Sequence, residues 1–365
     1  MGKRVLMTMS GGIDSSVAAL LLQQQGYELV GVTYRTFDAI SGACMEKERG
    51  CCSVDSIFEA KRMAESLGFE HHILDIRQEF SDTVIRNFID EYLHGRTPNP
   101  CVVCNSVIKW GRLIETADQF GCDWIATGHY ARIGRQEGRY FLRKGKDGSK
   151  DQTYFLWMLT QENLARTLFP LGELTKPEVR ALAAAHGYEA LSKKKESQEI
   201  CFIPGNDYRT FLAGRIPDFR ERFGPGRFVD TSGKYLGEHR GFPHYTIGQR
   251  KGLGIALGQP VFVVSIDAGN NEVTLGTKEE LLSAELSVRS VNRMKYREIP
   301  EGLEVSAKIR YRNAGLPASL YPDSHSPHQE RLCVRFHTPA ESVTPGQSAV
   351  FYEGDDLIGG GIIEG

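Results

Sequence analysis

The first 200 residues alternate short apolar runs, typical of buried strands, with segments whose apolar residues recur at helical spacing. Strands are predicted at residues 3–9, 28–34, 71–76 and 123–127. Helices are predicted at residues 17–25, 53–67, 80–93 and 105–120, and a glycine follows three of them. Helices that connect successive strands in this way predict a parallel sheet with helices on both faces.

The pattern changes after residue 130. Residues 131–143 predict a hairpin around Gln136-Glu137-Gly138, and residues 175–186 predict a helix with Pro177 in its first turn. From about Phe211 onward glycine and proline are frequent, which is typical of short hairpins. Strands are predicted there at residues 260–266, 272–275, 305–311, 331–336 and 348–352. We therefore expect an α/β domain over residues 1–210, a small central domain over 211–280 and a β-rich domain over 281–365.

Composition supports this picture. A chain of 365 residues, 41% hydrophobic and 25% charged, is typical of a globular protein of two or three domains. The longest apolar run, Val17 to Leu22, has six residues, whereas about 20 are needed to span a bilayer. With no secretion signal either, we expect a cytoplasmic protein without membrane association.

Charge restricts the class of partner. The net charge is 44 − 46 = −2, which excludes a globally basic surface for binding polyanions. Residues 131–150 nevertheless hold seven Lys or Arg residues against two acids. Such a run is either a solvated face or a local patch for an anionic partner.

Two glycines and three serines join the first strand to the first helix, in the segment Ser10-Gly11-Gly12-Ile13-Asp14-Ser15-Ser16. Glycines allow a tight turn, and the N-terminus of the following helix attracts an anion such as phosphate. Asp14 would repel phosphate, so it is expected to cap the helix or to hold a divalent metal. The spacing matches neither a Walker A loop nor GxGxxG. The structural alternative is a Gly-Gly turn before a capped helix.

Eight cysteines are too few for a disulfide scaffold. Cys101 and Cys104 form a CxxC pair just before the helix predicted from Asn105, so the helix dipole should lower the pKa of the Cys104 thiol. A zinc site would require a second such pair, which the sequence lacks. Cys201 is either buried filler or a reactive thiol that follows the lysines 193–195. We interpret Cys51 and Cys52 as structural, and Cys122 and Cys333 as core filler.

The SGGxDS segment resembles the pyrophosphate-binding loop of the PP-loop ATP pyrophosphatases. Further motifs occur in order at residues 95–100 (GRTPNP), 104–105 (CN), 126–130 (ATGHY), 150–152 (KDQ), 197–202 (SQEICF) and 245–250 (YTIGQR). Together they resemble the bacterial tRNA-specific 2-thiouridylase family over nearly the whole chain. The resemblance implies an α/β parallel-sheet PP-loop domain (adenine nucleotide alpha-hydrolase-like), then a small central domain and a C-terminal β-barrel.

The resemblance also implies a reaction. ATP adenylates the C2 oxygen of the wobble uridine of tRNA, AMP and pyrophosphate are released, and sulfur transfer gives 2-thiouridine. Cys201 would carry a persulfide from a sulfur-carrier protein, and Cys104 would be the nucleophile that releases the sulfur, with a disulfide between the two afterwards. Mg²⁺ is the expected companion of ATP. The implied ATP-binding residues are Thr8, Met9, Ser10, Gly11, Gly12, Ile13, Asp14 and Ser15, with adenosine near Tyr34 and Gly128.

RNA contacts are implied in the same way. Asn99, Pro100 and Cys101 would contact the target base. The implied tRNA-binding residues are His129, Lys150, Asp151, Gln152, Arg310, Tyr311 and Gln347. We expect tRNA and a sulfur-carrier protein as partners of a monomer.

One position departs from the family, because many members have Asp where this chain has Cys101. A thiol with a pKa of about 8.5 is a different acid or base from a carboxyl with a pKa of about 3.9. Cys101, Cys104 and Cys201 would also suffice to ligate a [4Fe–4S] cluster with one open iron, as in iron–sulfur tRNA thiolases. The persulfide route and the cluster route both stay open at this point.

Two other functions compete with tRNA thiolation. A PP-loop ligase or amidotransferase-type enzyme acting on a small molecule would need neither reactive thiols nor an RNA-binding β-rich region with Lys308, Arg310 and Arg312. A noncatalytic RNA-binding protein would leave the SGGxDS loop unexplained.

Overall fold

The computed structural model describes residues 2–37, 54–193, 200–203, 205, 207–323, 326 and 330–365. Cys51 and Cys52, which the sequence suggested were structural, lie outside these residues, as do motif residues 197–199. No helix in the described part of the chain is long and apolar enough to cross a membrane.

The N-terminal domain contains the predicted parallel sheet. Its strands are β1 (Arg4–Thr8), β2 (Glu28–Arg35), β3 (His71–Asp75), β4 (Trp124–Ala126) and β7 (Thr167–Leu168), in the order β3-β2-β1-β4-β7. All neighbouring pairs are parallel. The central strand β1 has fully buried Val5, Leu6 and Met7, because helices cover both faces of the sheet.

The helices of this domain surround the sheet. They are α1 (Ile13–Gln24), α2 (Val54–Leu67), α3 (Arg77–Phe80), α4 (Arg86–Leu93), α5 (Pro100–Val103), α6 (Gly111–Gln119), α7 (Gln161–Ala165), α8 (Lys176–Ala185) and α9 (Glu189–Ser192). The π-helical segments Ser81–Ile85 and Cys104–Trp110 join α3 to α4 and α5 to α6. Thr175 and Glu178 form a capping box at the start of α8, where the sequence predicted a helix start. The first helix begins at Ile13 rather than Val17, so the predicted start was wrong by one turn.

A hairpin of β5 (Ala131–Gln136) and β6 (Arg139–Lys144) turns at Glu137 and Gly138, as predicted. The central domain begins with α10 (Tyr208–Arg215) and α11 (Phe219–Arg222). Its sheet has the order β10-β11-β8-β9, from β8 (Gly226–Asp230), β9 (Tyr235–His239), β10 (Phe262–Asp267) and β11 (Glu272–Gly276). Short 3₁₀ turns lie at Thr153–Phe155, Phe242–His244 and Glu279–Leu281.

The C-terminal domain is a closed β-barrel of six antiparallel strands. They are β12 (Leu282–Arg293), β13 (Leu303–Lys308), β14 (Leu316–Pro322), β15 (Leu332–Glu341), β16 (Ser348–Glu353) and β17 (Asp356–Ile363). The order is β12-β15-β14-β13-β16-β17, and β17 pairs back to β12, so the predicted barrel is confirmed. At Asp356 and Arg143, β17 also pairs with β6, which attaches the hairpin of the first domain to the barrel.

Candidate active site

The loop after β1 has the geometry of an anion site. Gly12 is the N-cap of α1, and no side chain caps the first N–H groups of that helix. Gly11 has a φ of +66°, and a Cβ there would overlap the carbonyl oxygen of Ser56 on α2. The uncapped N–H groups of a helix N-terminus are a good fit for a phosphate group.

Hydroxyl groups stabilise this loop from within. The backbone N–H of Ser10 donates to Ser15 Oγ over 3.2 Å, and Ser15 Oγ donates to the carbonyl of Gly12 over 3.1 Å. Ser16 Oγ donates to the same carbonyl over 3.0 Å. Ser15 is only 4% exposed, so it maintains the shape of the loop around the site where an anion would bind.

Asp14 does not cap the helix, which corrects one of the two sequence interpretations. Lys176 Nζ lies 2.7 and 2.8 Å from the two carboxylate oxygens of Asp14, and the Tyr130 hydroxyl donates to Oδ1 over 2.7 Å. The Lys176 side chain is 7% exposed. Lys176 and Tyr130 together make three hydrogen bonds to the Asp14 carboxylate, which disfavours it as a metal ligand.

Lys176 and Tyr130 are the site residues that the sequence interpretation missed. The sequence identified the Thr175–Glu178 region only as a helix start and residue 130 only as part of a motif. Neither pattern indicates that Lys176, at the start of α8, and Tyr130, in the segment after β4, both contact Asp14 in the phosphate loop.

The residues implied for ATP cluster around this loop. Met9 and Ile13 are 3% and 4% exposed, and their side chains pack in the hydrophobic core of the domain. Thr8 Oγ1 donates to the carbonyl of Ala126 over 3.0 Å, which joins the ends of β1 and β4. A Cβ on Gly128 would lie 2.7 Å from the backbone nitrogen of Ser15, so this position approaches the loop closely. Tyr34 lies at the end of β2, where burial raises its pKa to about 12.

His129 follows Gly128 at this edge. Its ring lies 5.6 Å from that of Trp110 and 6.4 Å from that of Phe169, and Thr127 Oγ1 lies 2.8 Å from Nδ1. Burial, followed by the charge of Lys109, holds the pKa of His129 well below its usual value. The imidazole is therefore neutral at pH 7.

The cysteine-bearing helix begins at Pro100, with Asn99 as N-cap, and not at Asn105 as predicted. Cys101 is therefore the second helical residue, whereas Cys104 is the fifth and opens the π-helical segment. This corrects the sequence argument, because the helix dipole acts most strongly on Cys101. The Cys101 side chain is exposed and that of Cys104 is half-buried.

Cys201 is placed near the cysteine helix by the two residues that follow it. Phe202 and Ile203 are buried in an apolar cluster with Phe80 and Phe88, and Cys104 packs against that cluster. Cys201 itself is exposed. Among the described residues, no three His, Cys, Asp or Glu side chains are close enough together to hold a metal ion. Ligation of an iron–sulfur cluster by the three thiols stays a prediction, because cluster ligands bind different irons and need not meet at one ion.

The structure brings several implied RNA-contacting residues to the junction of the first domain and the barrel. Asn99 is hydrogen-bonded to Tyr154, whose hydroxyl donates to the Ser348 carbonyl over 3.0 Å. Arg310 Nη2 donates to the Ser342 carbonyl over 2.9 Å. The Tyr311 ring lies 4.4 Å from that of Phe155. Burial keeps the pKa of Tyr154 above its usual value.

Asp151 and Gln347, both implied as RNA contacts, have side chains that are hydrogen-bonded within the protein. Asp151 is 6% exposed and accepts hydrogen bonds from the Thr153 hydroxyl at 2.9 Å, and burial raises the pKa of its carboxyl. Gln347 Nε2 donates to the carbonyls of Thr97 and Pro98. Asp151 is thus too buried to reach RNA, and both amide hydrogens of Gln347 are already used.

Lys150 and Gln152, also implied as RNA contacts, are half-buried beside Asp151. Gln152 Oε1 accepts from the Tyr130 backbone N–H over 2.9 Å, which links this segment to the residue that binds Asp14.

Comparison with known proteins gives the following. Family models match three consecutive parts of the chain, a tRNA methyl transferase HUP domain at residues 3–205, a tRNA methyl transferase PRC-barrel domain at 209–277 and an aminomethyltransferase β-barrel domain at 283–363. The tRNA-specific 2-thiouridylase MnmA of Amoebophilus asiaticus is 52% identical over 99% of this chain and 95% of its own length. Those of Cytophaga hutchinsonii and Salinibacter ruber are 49% and 48% identical over 99% of this chain and 97% and 94% of theirs.

Proposed function

This chain belongs to the tRNA-specific 2-thiouridylase family, and from that membership we propose how its residues divide the work of thiolating tRNA. It is a tRNA sulfurtransferase with an ATP-binding PP-loop domain. The matching domain models carry the name of methyl transfer, whereas the relatives are named for thiolation. A loop suited to the phosphates of ATP, together with thiols at a helix start, favours thiolation.

The observation that carries the proposal is a shared sheet edge. The phosphate loop follows the carboxyl end of β1, and the helix that begins at Pro100 runs back towards the start of β4. Trp110 of that helix contacts His129, which lies just beyond the carboxyl end of β4. Cys104 and Cys101 lie six and nine residues before Trp110, towards the same edge of the sheet. Ligands of open α/β sheets bind at this edge.

Adenylation is proposed as the first step. The C2 oxygen of the wobble uridine attacks the α-phosphorus of ATP, the bond from that phosphorus to the bridging oxygen breaks, and pyrophosphate leaves. The N-terminus of α1 and the loop around Gly11 and Gly12 bind the phosphates. Asn99 and Pro100 lie at the start of the cysteine helix and would orient the base, with Cys101 beside them.

Sulfur transfer follows. The terminal sulfur of a Cys201 persulfide attacks C2, and AMP departs with the original oxygen. The Cys104 thiolate then attacks Sγ of Cys201, which frees 2-thiouridine and leaves a disulfide between Cys104 and Cys201. An external thiol reductant restores both thiols, and a sulfur-carrier protein renews the persulfide. We assign the sulfur chemistry to the persulfide route, and the iron content of the protein distinguishes this route from the cluster route.

Contacts with the remainder of the tRNA are proposed for His129, Lys150, Gln152, Arg310 and Tyr311. Mg²⁺ is proposed to bind the phosphates of ATP, and Asp14 is not assigned as its ligand because Lys176 engages it. We also propose that the protein acts as a cytoplasmic monomer and that its domains meet near residues 210 and 280.

The proposal is tested by incubating the protein with ATP, Mg²⁺, unmodified tRNA and a persulfide donor. Pyrophosphate release should require tRNA, and nucleoside mass spectrometry should find 2-thiouridine. The Ser15→Ala variant should release pyrophosphate about tenfold more slowly, because it removes two hydrogen bonds that shape the loop, each worth about 0.5–1.5 kcal/mol. Pyrophosphate release that needs a small-molecule acceptor and ignores tRNA would establish the ligase alternative instead.

A further inference from the structure

The loop that leads into the cysteine helix is hydrogen-bonded to the barrel. Pro98 and Pro100 have no backbone N–H, so the loop can form few hydrogen bonds of its own. The Thr97 N–H donates to the Pro345 carbonyl over 2.8 Å. Gln347 Nε2 donates to the Thr97 carbonyl over 3.1 Å and to the Pro98 carbonyl over 2.8 Å. Three hydrogen bonds thus connect one loop of the barrel to the successive residues Thr97 and Pro98.

The barrel side of this contact is fixed. Gly346 donates to the Ile363 carbonyl over 3.0 Å, and Ile363 donates back to the Gln347 carbonyl over 2.8 Å. Gly346 has a φ of +87°, and a Cβ there would lie 2.8 Å from both Glu91 Oε2 and the Thr97 carbonyl oxygen. The two domains therefore touch at this point with no room for a side chain.

The other side of the loop is fixed by an ion pair. Glu91 is 8% exposed, and Arg96 binds both of its carboxylate oxygens over 2.7 and 2.8 Å. The loop is thus anchored to α4 before Thr97 and to the barrel at Thr97 and Pro98. Asn99, the N-cap of the helix, and the exposed Cys101 follow immediately.

We propose that Gln347 is a positioning residue, through which the docked barrel sets the place of Asn99 and Cys101 relative to the phosphate loop. This rests on the proposed function, in which those residues meet the target base. Both amide hydrogens of Gln347 are engaged within the protein, so a contact with RNA would fall to its side-chain oxygen.

The expected consequence is a loss of rate without a loss of affinity. A reacting group displaced by about 1 Å can lower a rate by about a hundredfold. Gln347→Met keeps the length of the side chain and removes both donated hydrogen bonds. We expect kcat for tRNA-dependent pyrophosphate release to fall by about tenfold or more, and the Kd for tRNA to stay within about twofold.

Gln161 provides a matched control. Its Nε2 donates to the carbonyls of Tyr140 and Met294 over 2.8 and 3.1 Å, so it also bridges the first domain and the start of the barrel, but away from the loop. Gln161→Met should lower the melting temperature about as much as Gln347→Met while leaving kcat near that of the parent protein. Gln347→Asn, which keeps the amide but shortens its reach, should resemble Gln347→Met.

The experiment measures kcat, the Kd for tRNA at fixed salt, and the melting temperature of the three variants of the full chain. Weaker tRNA binding with unchanged kcat at saturating tRNA would make Gln347 an RNA contact and overturn the proposal. Equal losses of kcat in Gln161→Met and Gln347→Met would show that any weakening of the contact between the domains lowers the rate, which would refute a specific role of Gln347. Unchanged kcat in both variants would also refute the proposal. A parent protein without tRNA-dependent pyrophosphate release would instead refute the proposed function.

Discussion

Lys176 neutralises an acid that would otherwise repel the phosphates of ATP. Both oxygens of Asp14 lie within 2.8 Å of its ammonium group. Lys176→Met would leave the carboxylate at the entrance of an anion site with only the Tyr130 hydroxyl as partner. Since a hydrogen bond to a charged group is worth about 1.5–3 kcal/mol, we expect ATP-dependent pyrophosphate release to fall by at least about tenfold.

The control for this change lies on the neighbouring surface. Lys146 pairs with Glu178 near the start of α8, and its side chain is 48% exposed. Lys146→Met should leave the rate of pyrophosphate release nearly unchanged, because exposed ion pairs contribute little. If both lysine variants kept the parent rate, Asp14 and Lys176 would have no part in ATP binding.

Cys101 is the second residue of its helix, where a negative charge is favoured. An Asp side chain at this position would be stabilised by the same N–H groups, and Asp is the residue that the family resemblance leads us to expect there. We therefore expect Cys101→Asp to retain at least about a third of the thiolation activity, and Cys101→Ala to retain less. Cys333→Ser, a change in the barrel, serves as the control.

Bound iron measured in anaerobically purified Cys101→Asp separates the two sulfur routes. Substantial activity without iron agrees with the persulfide route. Activity that disappears together with bound iron would show that Cys101 is a cluster ligand, since a carboxylate replaces thiolate poorly at iron.

Among the elements, those set by local pattern were predicted well. Regular apolar spacing indicated β1 to β4 of the parallel sheet but not the short β7, and turn and proline signals indicated the hairpin at Glu137-Gly138 and the start of α8. The start of the cysteine helix was missed because two prolines and Asn99 resemble a loop, although proline is common at the first helical position.

Strand β17 was missed for a tertiary reason. It contains Gly359, Gly360 and Gly361, which the sequence pattern associates with turns. A Cβ would overlap the Asn292 carbonyl at Gly359 and would come within 2.8 Å of Trp157 at Gly360 and 2.7 Å of Val288 at Gly361. These glycines are explained by groups that approach from distant parts of the chain, so a local pattern cannot identify them.

The joint between the hairpin and the barrel depends on charge. Asp356 accepts from Arg143 over 2.6 Å and from Lys295 over 2.9 Å, and Glu353 also binds Lys295. The Lys295 side chain is 8% exposed, whereas that of Arg143 is 44% exposed. Asp356→Ala removes a partner of the buried ammonium and should lower the free energy of unfolding by about 2 kcal/mol.

Arg143→Ala removes only the exposed partner of the same carboxylate. It should cost less than about 1 kcal/mol, because solvent screens an exposed pair. Denaturant unfolding of both variants measures the difference. Equal effects would mean that Lys295 does not depend on Asp356.

On the scale of the whole molecule, the first domain and the barrel share one core. Trp110 and Trp157 are fully buried in the same cluster as Val350 and Leu357 of the barrel. Trp157 Nε1 also donates to Ser348 Oγ over 3.0 Å. The sequence predicted the domains as consecutive units, but it gave no signal that they pack together. The apolar residues on each side fit the pattern of their own helix or strand, so nothing in that pattern indicates a partner in another domain. The shared core explains how a barrel loop can hold the entrance to the cysteine helix.

One buried and three half-buried histidines make the stability of the whole molecule depend on pH. Burial lowers the pKa of His71, His129, His239 and His244 below the ordinary value of 6.5, and that of His239 to about 4. These rings take up protons at a lower pH in the folded protein than in the unfolded chain. The stability that they contribute is therefore fully present above pH 6.5 and declines as the pH falls, by up to about 1.4 kcal/mol per pH unit for each histidine. We expect the urea midpoint to be lower at pH 5.5 than at pH 7.5, and the difference to be smaller in His129→Gln, which removes one of these groups. Equal midpoints at the two pH values in the parent protein would contradict this account.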